Sequence, residues 1–297
     1  MSIPFDELWN YDDPAATEGK LREAGAGIDP VGEPDLHVQL QTQIARTLSL
    51  RGRFEEAHAL LDQVESLFTP AVVVGRIRHQ LERGRTFNSA GENAKAIECF
   101  REALNRAEDG GHAFYAVDAA HMLGITDTLE HRLEWNERAI ALAEASTDAR
   151  TRRWLGSLLN NTAWTCHEMG SYGRALELFE QCHRFNVEIG RVAEQRVARW
   201  CIGRTLRSMD RIDDALAAQR ALADEAASDP EIEEDGFVCE ELGECLLALG
   251  RGEEAREHFA RAAELLGGVE WFVREEGERL ARLRRLGGDA DVSGGDA

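Results

Sequence analysis

One spacing pattern occurs six times along this chain of 297 residues. In each copy a small residue, the anchor, is followed seven positions later by Gly or Asp and, in five copies, twelve positions later by Ala. The six anchors are Ala45, Gly84, Ala120, Ala163, Gly203 and Gly243. Repeated units of this length bury their cores against their neighbours and present a long binding surface. The spacing therefore predicts a repeat array.

Each unit is predicted to be two helices joined by a tight turn. In the first unit Gly52 ends one helix with a left-handed residue, and the next begins at Phe54 with acidic residues in its first turn. Small residues at the anchor and at +12 let the two helices approach closely, while larger residues at +16 fill the gaps. The fold class expected is all-α: a right-handed α-solenoid of about six helix pairs with a C-terminal capping helix.

Three segments carry the pattern most fully: GRTFNSAGENAKAIECFREAL, NTAWTCHEMGSYGRALELFEQC and GECLLALGRGEEAREHFARAA. They resemble the tetratricopeptide repeat (TPR) family, and the resemblance extends over residues 38–267. Successive anchors lie 39, 36, 43, 40 and 40 residues apart, longer than the common 34-residue repeat. The chain thus resembles the extended variety of about 40 residues found in kinesin light chains and bacterial peptide-sensing regulators. The resemblance implies a docking platform for proteins.

The third unit departs from the pattern. Asp127 stands where Gly is usual, Arg132 replaces Ala, and Asn136 replaces the aromatic residue. We expect a looser helix pair or an altered turn in this unit.

Four segments are expected along the chain. Residues 1–37 would form an N-terminal capping or docking segment with one short helix. Residues 38–267 would hold the six repeats, residues 268–286 a capping helix with a charged outer face, and residues 287–297 a disordered tail.

The N-terminal segment contains a helix start at Asp13, the expected N-cap, followed by Pro14. Ahead of it, Phe5, Leu8 and Trp9 are too apolar to remain in water. We expect them to pack on the first repeat as a cap. The alternative is that they occupy the groove or contact a second copy of the chain, which would produce a homodimer.

Composition excludes several classes of partner. A net charge of −21 argues against nucleic acid and against anionic membrane surfaces. No apolar run is long enough to span a membrane, and the N-terminus lacks a secretory signal pattern. The six cysteines contain no C-x-x-C pair. Together these features predict a cytoplasmic protein.

No sequence motif indicates catalysis. The chain lacks a phosphate-binding Gly loop, an H-E-x-x-H motif and a nucleophile elbow. His121 and His167 could face the groove near Cys201, but zinc sites usually have tighter ligand spacing. We therefore expect no catalytic residues, no metal and no cofactor.

The resemblance implies that the concave surface is lined by the first helix of each pair, one position after the anchor and two or three before it. The candidate partner-binding residues are Arg46, Arg85, His121, Asn161, Trp164 and Arg204. The three arginines favour an acidic segment or a C-terminal carboxylate as the guest. The alternative is that these arginines pair with neighbouring acids such as Glu82 and only solvate the face.

Asn161 and Trp164 form a second candidate pair. The array resembles kinesin light chains at Asn161, where an Asn contacts the backbone of an extended ligand; its amide offers a donor and an acceptor. Trp164 would supply a flat apolar contact of the kind enriched in binding hot spots. Trp200, in the following repeat, extends this surface or belongs to the core.

These observations predict a protein- or peptide-binding scaffold that uses the concave face. The alternative is a peptide-sensing regulatory protein whose superhelix changes shape when a ligand binds. An enzyme ranks third, because no motif supports a catalytic site.

Overall fold

The computed structural model describes residue 3 and residues 5–288, and all regular structure in that part of the chain is helical. A 3₁₀ helix at Phe5–Leu8 precedes α1 (Pro14–Gly25). The later helices are α2 (Pro34–Leu50), α3 (Phe54–Glu65), α4 (Val74–Ser89), α5 (Asn93–Asp109), α6 (Ala113–Thr126), α7 (Leu129–Ala145), α8 (Ala149–Arg152), α9 (Leu155–Glu168), α10 (Tyr172–Glu188), α11 (Val192–Ser208), α12 (Ile212–Ser228), α13 (Gly236–Ala248), α14 (Gly252–Gly267), α15 (Glu270–Glu275) and α16 (Gly277–Gly287). The expected all-α fold of helix pairs is confirmed. Within the described residues, no helix is long and apolar enough to cross a lipid bilayer.

The chain forms two compact units, residues 1–158 (unit 1) and residues 159–297 (unit 2). Unit 1 contains the repeat pairs α2–α3, α4–α5 and α6–α7, and unit 2 contains the pairs α11–α12 and α13–α14. The fourth pair is formed by α9 and α10, and α9 begins in the last residues of unit 1. In both units the helices pack on their neighbours along the chain and, as between α2 and α4 or α14 and α16, on the next helix but one, as stacked repeats require.

The anchors pack against the residue at +16, which explains why they are small. A Cβ placed on Gly84 would lie 2.5 Å from the ring of Phe100, and one on Gly243 would lie 2.8 Å from the ring of Phe259. Both rings are fully buried. The alanines at +12 are buried as well: Ala57, Ala96, Ala175, Ala215 and Ala255. Close helix contact therefore depends on both small positions.

The turn at +7 has a left-handed backbone in five of the six units. Gly52 has a φ of 71°, and Gly91, Gly170 and Gly250 have similar values. Asp210 adopts the same conformation with a φ of 60°, although it carries a Cβ. The turn geometry is thus retained in the fifth unit at a small cost in backbone strain.

The third unit has an altered turn, as expected from its sequence. Asp127 is extended, with a φ of −73° and a ψ of 173°. Its carboxylate accepts hydrogen bonds from the Thr128 N–H at 2.8 Å and from the Trp135 indole N–H at 3.0 Å. Arg132 donates from Nε to the Asp127 carbonyl oxygen at 3.0 Å. Side-chain bonds therefore replace the glycine turn in this unit.

The carboxylate of Asp127 is held in its ionised form. Burial alone would raise the pKa of Asp127, but the bonds from Thr128, Trp135 and His131 hold it below its ordinary value. In the same unit Asn136 approaches α6 so closely that a Cβ on Gly124 would lie 2.0 Å from the Asn136 side-chain oxygen. Gly124 therefore makes room for the polar residue at +16.

The N-terminal residues pack on the first repeat. Asp13 caps α1 as predicted, accepting from the Ala16 N–H at 2.9 Å. Phe5 is buried in a cluster with Leu21, Leu40 and Ile44. This cluster joins the 3₁₀ helix and α1 to α2.

The segment expected to form a single capping helix contains two helices, because the chain breaks at Glu276 between α15 and α16. Phe272, Leu280 and Leu283 are buried in the core of unit 2. The last helix packs closely on α14, since a Cβ on Gly287 would lie 2.7 Å from the backbone of Ala260. Of the predicted disordered tail, residues 289–297 lie outside the described residues.

Candidate functional site

Two of the predicted arginines meet in unit 1 around shared carboxylates. Arg85 of α4 contacts Glu82 at 2.8 Å and Asp118 of α6 at 2.5 Å. Arg46 of α2 reaches the same oxygen of Glu82 at 3.4 Å. Both carboxylates are buried, Glu82 with 3% of its surface exposed. These residues form a cluster of two cations and two anions, which we call the charge cluster.

The ionisation of the charge cluster follows from its contacts. Burial alone would raise the pKa of Asp118, but the adjacent Arg85 guanidinium holds it below its ordinary value. Burial disfavours the charged form of Arg85, yet Asp118 and Glu82 together raise its pKa above the ordinary value. The Arg85–Asp118 pair is therefore fully charged.

The N-terminal segment reaches the charge cluster. The Trp9 indole N–H donates to the side-chain oxygen of Gln43 at 3.0 Å. Trp9 and Tyr11 are stacked with ring centroids 5.1 Å apart, and the Arg46 guanidinium lies 5.3 Å and 5.5 Å from their centroids. Two aromatic rings from outside the repeats thus contact a predicted groove residue.

Aromatic residues from later in unit 1 complete a cavity of about 160 Å³ that is partly open to solvent. Phe114 of α6 packs against Trp154 with their ring centroids 6.1 Å apart. The hydroxyl of the neighbouring Tyr115 accepts a hydrogen bond from Nε of Arg78 at 3.0 Å. The cavity is lined by Trp9, Tyr11, Gln43, Arg46, Arg78, Leu81, Glu82, Arg85, Phe114, Tyr115, Asp118 and Trp154. It therefore has aromatic walls around a floor formed by the charge cluster.

The predicted residue His121 lies beside this cavity but not in its lining. Its ring is 5.2 Å from the ring of Trp154. Burial lowers the pKa of His121, despite the opposing effect of Asp118, so the imidazole is neutral near pH 7. His121, one position after the third anchor, thus packs behind the aromatic wall of the cavity at Trp154.

In unit 2 the first helices of the repeats and the short helix α15 carry a row of aromatic rings. Trp164 of α9 lies 6.1 Å from Trp200 of α11, Trp200 lies 6.1 Å from Phe237 of α13, and Phe237 lies 6.4 Å from Trp271 of α15. We call these four residues the aromatic row. Trp164, Trp200 and Phe237 are half-buried, and Trp271 is 47% exposed. The row therefore presents ring surface to solvent.

The other predicted residues of unit 2 are Asn161 and Arg204. The Asn161 side-chain oxygen accepts from the Asn160 amide at a long 3.4 Å. Arg204 donates to the Ser208 hydroxyl at 2.5 Å and lies 3.3 Å from a carboxylate oxygen of Glu241, which is buried. Arg207 binds both oxygens of Glu241 at 2.7 Å and 2.8 Å. All three predicted arginines are thus paired with buried carboxylates.

No group of three or more His, Cys, Asp or Glu placed to hold a metal ion occurs among the described residues. His167 bonds to the Ser208 hydroxyl at 2.9 Å, and the Cys201 sulfur lies 3.8 Å from the Asn160 side-chain oxygen. Burial raises the pKa of Cys201 to about 12, so its thiol stays protonated.

Comparison with solved structures identifies the fold. No protein-family model and no curated protein matches the sequence. A tetratricopeptide repeat protein from Parabacteroides merdae is similar over 95% of this chain and 98% of its own, with a TM-score of 0.51 and 18% identity. The apo form of RapI is similar over 94% of this chain and 83% of its own, with a TM-score of 0.67 and 11% identity. This chain has the TPR fold. The quorum sensor NprR bound to its cognate peptide NprX shares it, over 96% of this chain and 85% of NprR, with a TM-score of 0.53 and 14% identity.

The repeat spacing did not indicate several of the site residues. Arg78, Phe114 and Phe237 all lie six positions before an anchor. That position is seven residues, or two helical turns, from the +1 position, so both fall on one helix face. An aromatic or basic residue at −6 is the sequence signal for these three residues. Tyr11 and Trp271 lie outside the six units, and the repeat spacing contains no signal for their positions.

Proposed function

We propose that this protein is a protein- or peptide-binding module that holds extended segments of its partner on the first helices within each unit. Asn161 and Trp164 contribute in unit 2, and Arg46 and Arg85 contribute in unit 1. The proposal involves no catalytic step and no cofactor.

The aromatic row carries the proposal. Its ring centroids are separated by 6.1, 6.1 and 6.4 Å. Alternate residues of an extended chain project to the same side every 6.4–6.8 Å. Four rings at this spacing can each contact one of four alternating side chains of the guest. Aromatic side chains supply large contact areas and are enriched in binding hot spots.

The paired arginines favour an extended guest over a strongly acidic one. Arg46, Arg85 and Arg204 each face a buried carboxylate of the protein. An added anion would gain attraction from the guanidinium groups and repulsion from Glu82 or Glu241. Apolar contact and directional hydrogen bonds therefore account for more of the binding than long-range charge.

The test is selection from a random peptide library with the full chain, followed by affinity measurement for the selected peptides. We expect Trp164→Ala and Trp271→Ala to weaken binding about tenfold or more, as hot-spot truncations do. The matched control is Val187→Ala, which removes an exposed side chain of α10 outside the aromatic row. Failure to select any peptide, or equal losses in all three variants, contradicts the proposal.

A second candidate function is that of a peptide-sensing regulator. It is supported by the shared fold with NprR, whose structure holds its cognate peptide. A selected peptide would then change solution scattering or hydrogen exchange well beyond its own contacts. If the peptide protects only the helices that it contacts from hydrogen exchange, the result favours a binding scaffold over a regulator.

A further inference from the structure

We infer that the cavity of unit 1 is a subsite for one tyrosine side chain of the partner. This inference deepens the proposed function and rests on it for the identity of the guest as a peptide. It is carried by the size of the cavity, the paired charges of its lining and two buried polar atoms of the lining residues.

The size of the cavity fits a single aromatic ring. Its volume is about 160 Å³, and an engineered protein cavity of about 150 Å³ is known to bind benzene. Five of its lining residues are aromatic: Trp9, Tyr11, Phe114, Tyr115 and Trp154. Aromatic pairs prefer offset or edge-to-face contacts, which rings from two sides can provide at once. An aromatic side chain of the partner can therefore pack against aromatic rings of the cavity.

The charge cluster selects a neutral guest. A lysine side chain entering the cavity would be attracted by Glu82 and Asp118 but repelled by Arg46, Arg78 and Arg85. A carboxylate would be attracted by the three guanidinium groups but repelled by Glu82 and Asp118. Arg46 and Arg85 already contact these carboxylates and Arg78 already donates to the Tyr115 hydroxyl, so a charged guest loses its hydration for little electrostatic gain.

Two atoms of the charge cluster select a phenol among neutral rings. Nε of Arg46 and Oε2 of Glu82 are buried and have no hydrogen-bond partner among the described residues. One is a donor and the other an acceptor, and a phenol hydroxyl can accept and donate at the same time. The contact between Arg46 and Glu82 is long, at 3.4 Å, and in the proposed complex these two side chains rotate apart so that the hydroxyl reaches both atoms. Phenylalanine would leave both atoms unpaired.

The N-terminal segment takes part in the subsite. Trp9 and Tyr11 form one wall of the cavity, and both lie against the guanidinium of Arg46. Tyr11 is 60% exposed, so removing its ring leaves the core intact. Trp9 and Tyr11 are therefore specificity-determining residues contributed from outside the repeats.

The first experiment titrates the full chain with N-acetyl-tyrosinamide and N-acetyl-phenylalaninamide and follows binding by NMR. We expect saturable binding of the tyrosine probe, about tenfold tighter than the phenylalanine probe, because the hydroxyl bonds to charged groups. The lysine and aspartate analogues should bind more weakly than both. Equal affinity for the two aromatic probes, or tightest binding of a charged probe, overturns the inference.

Variants locate the binding. Tyr11→Leu and Trp9→Leu should each lower the affinity for the tyrosine probe at least fivefold, as expected for loss of an aromatic contact. Trp271→Leu, a matched exposed aromatic in unit 2, should leave its affinity unchanged. Melting curves verify folding, and Tyr11→Leu alone is decisive if Trp9→Leu is unstable. An equal loss in Trp271→Leu contradicts the assignment.

Peptide selection separates this inference from the proposed function. If the selected peptides share a tyrosine, and this preference is lost when the selection is repeated with Tyr11→Leu, the result supports both the binding module and the tyrosine subsite. Selected peptides with no tyrosine preference support the binding module and overturn the subsite. Binding of the tyrosine probe without any selected peptide supports the subsite and contradicts the peptide-binding function.

Discussion

Units 1 and 2 follow the same repeat spacing but carry different surfaces on their first helices. In unit 1 the face holds the charge cluster, and aromatic residues from the N-terminal segment and from Trp154 enclose it as a cavity. In unit 2 the aromatic row remains open, with Trp271 half-exposed at its end. In unit 2 the aromatic rings stand at +1 in Trp164, at −3 in Trp200 and at −6 in Phe237, whereas in unit 1 Arg46 and Arg85 at +1 pair with Glu82 at −2. Repeats with the same spacing can therefore carry different binding chemistry on their first helices.

The largest effect expected concerns the floor of the cavity. Arg85→Glu would place a third carboxylate beside Glu82 and Asp118, and removing one partner of a buried ion pair costs about 3–5 kcal/mol. Arg204→Glu in unit 2 should cost less, because Arg204 is more exposed than Arg85 and Arg207 still pairs with Glu241.

Urea unfolding followed by circular dichroism measures both changes. The control is Arg22→Glu at an exposed ion pair of α1, for which we expect a change of about 0.5 kcal/mol or less. Similar losses for Arg85→Glu and Arg22→Glu would show that the charge cluster is solvated and would remove the contrast between the units.

The next effect tests the core that both units share. Gly84→Ala and Gly243→Ala would drive a methyl group into the rings of Phe100 and Phe259, and overpacking of this kind costs about 1–3 kcal/mol. Gly173→Ala in α10 meets open space and should be neutral or slightly stabilising. Urea unfolding gives the change in the free energy of unfolding for each variant. Changes of opposite sign in the two anchor variants, or changes as small as that of Gly173→Ala, would contradict a core shared by both units.

A smaller effect separates the turns of the two units. Asp127→Gly in unit 1 removes the bonds to Thr128 and Trp135 and should destabilise by about 0.5–1.5 kcal/mol, the net contribution of a typical intramolecular hydrogen bond. Asp210→Gly in unit 2 relieves a left-handed aspartate and should stabilise by about 0.5–1 kcal/mol. Thermal unfolding of the two variants gives the signs. A change of the same sign in both contradicts the different roles assigned to these residues.

Much of the fold could be predicted from the sequence because the anchors, the +12 alanines and the +7 turns act through local packing that recurs at a fixed spacing. The altered turn at Asp127 was also visible as a departure from that spacing. The helix break at Glu276 lies beyond the repeats, so no equivalent position in another repeat indicates it. Local periodicity therefore determines the helices more fully than the ends of the array.

The candidate site was less predictable. Arg46 and Arg85 fall on the first helices as their register indicates, yet the pairs Arg46–Glu82 and Arg85–Asp118 join residues more than 30 positions apart on different helices. Such pairs depend on side-chain conformation, which the spacing does not determine. The contribution of Tyr11 depends on the path of a segment that has no repeat register. Charge compensation and enclosure are thus tertiary properties of this site.

The most direct test of the proposed function compares two heptapeptides of the same composition on the full chain. In one, four leucines alternate with three glutamines; in the other, the four leucines are consecutive. If the aromatic row holds alternate side chains of an extended guest, the alternating peptide binds about tenfold tighter, and Trp271→Ala abolishes most of that preference. Equal affinities for the two peptides, or a preference unchanged by Trp271→Ala, would contradict the account.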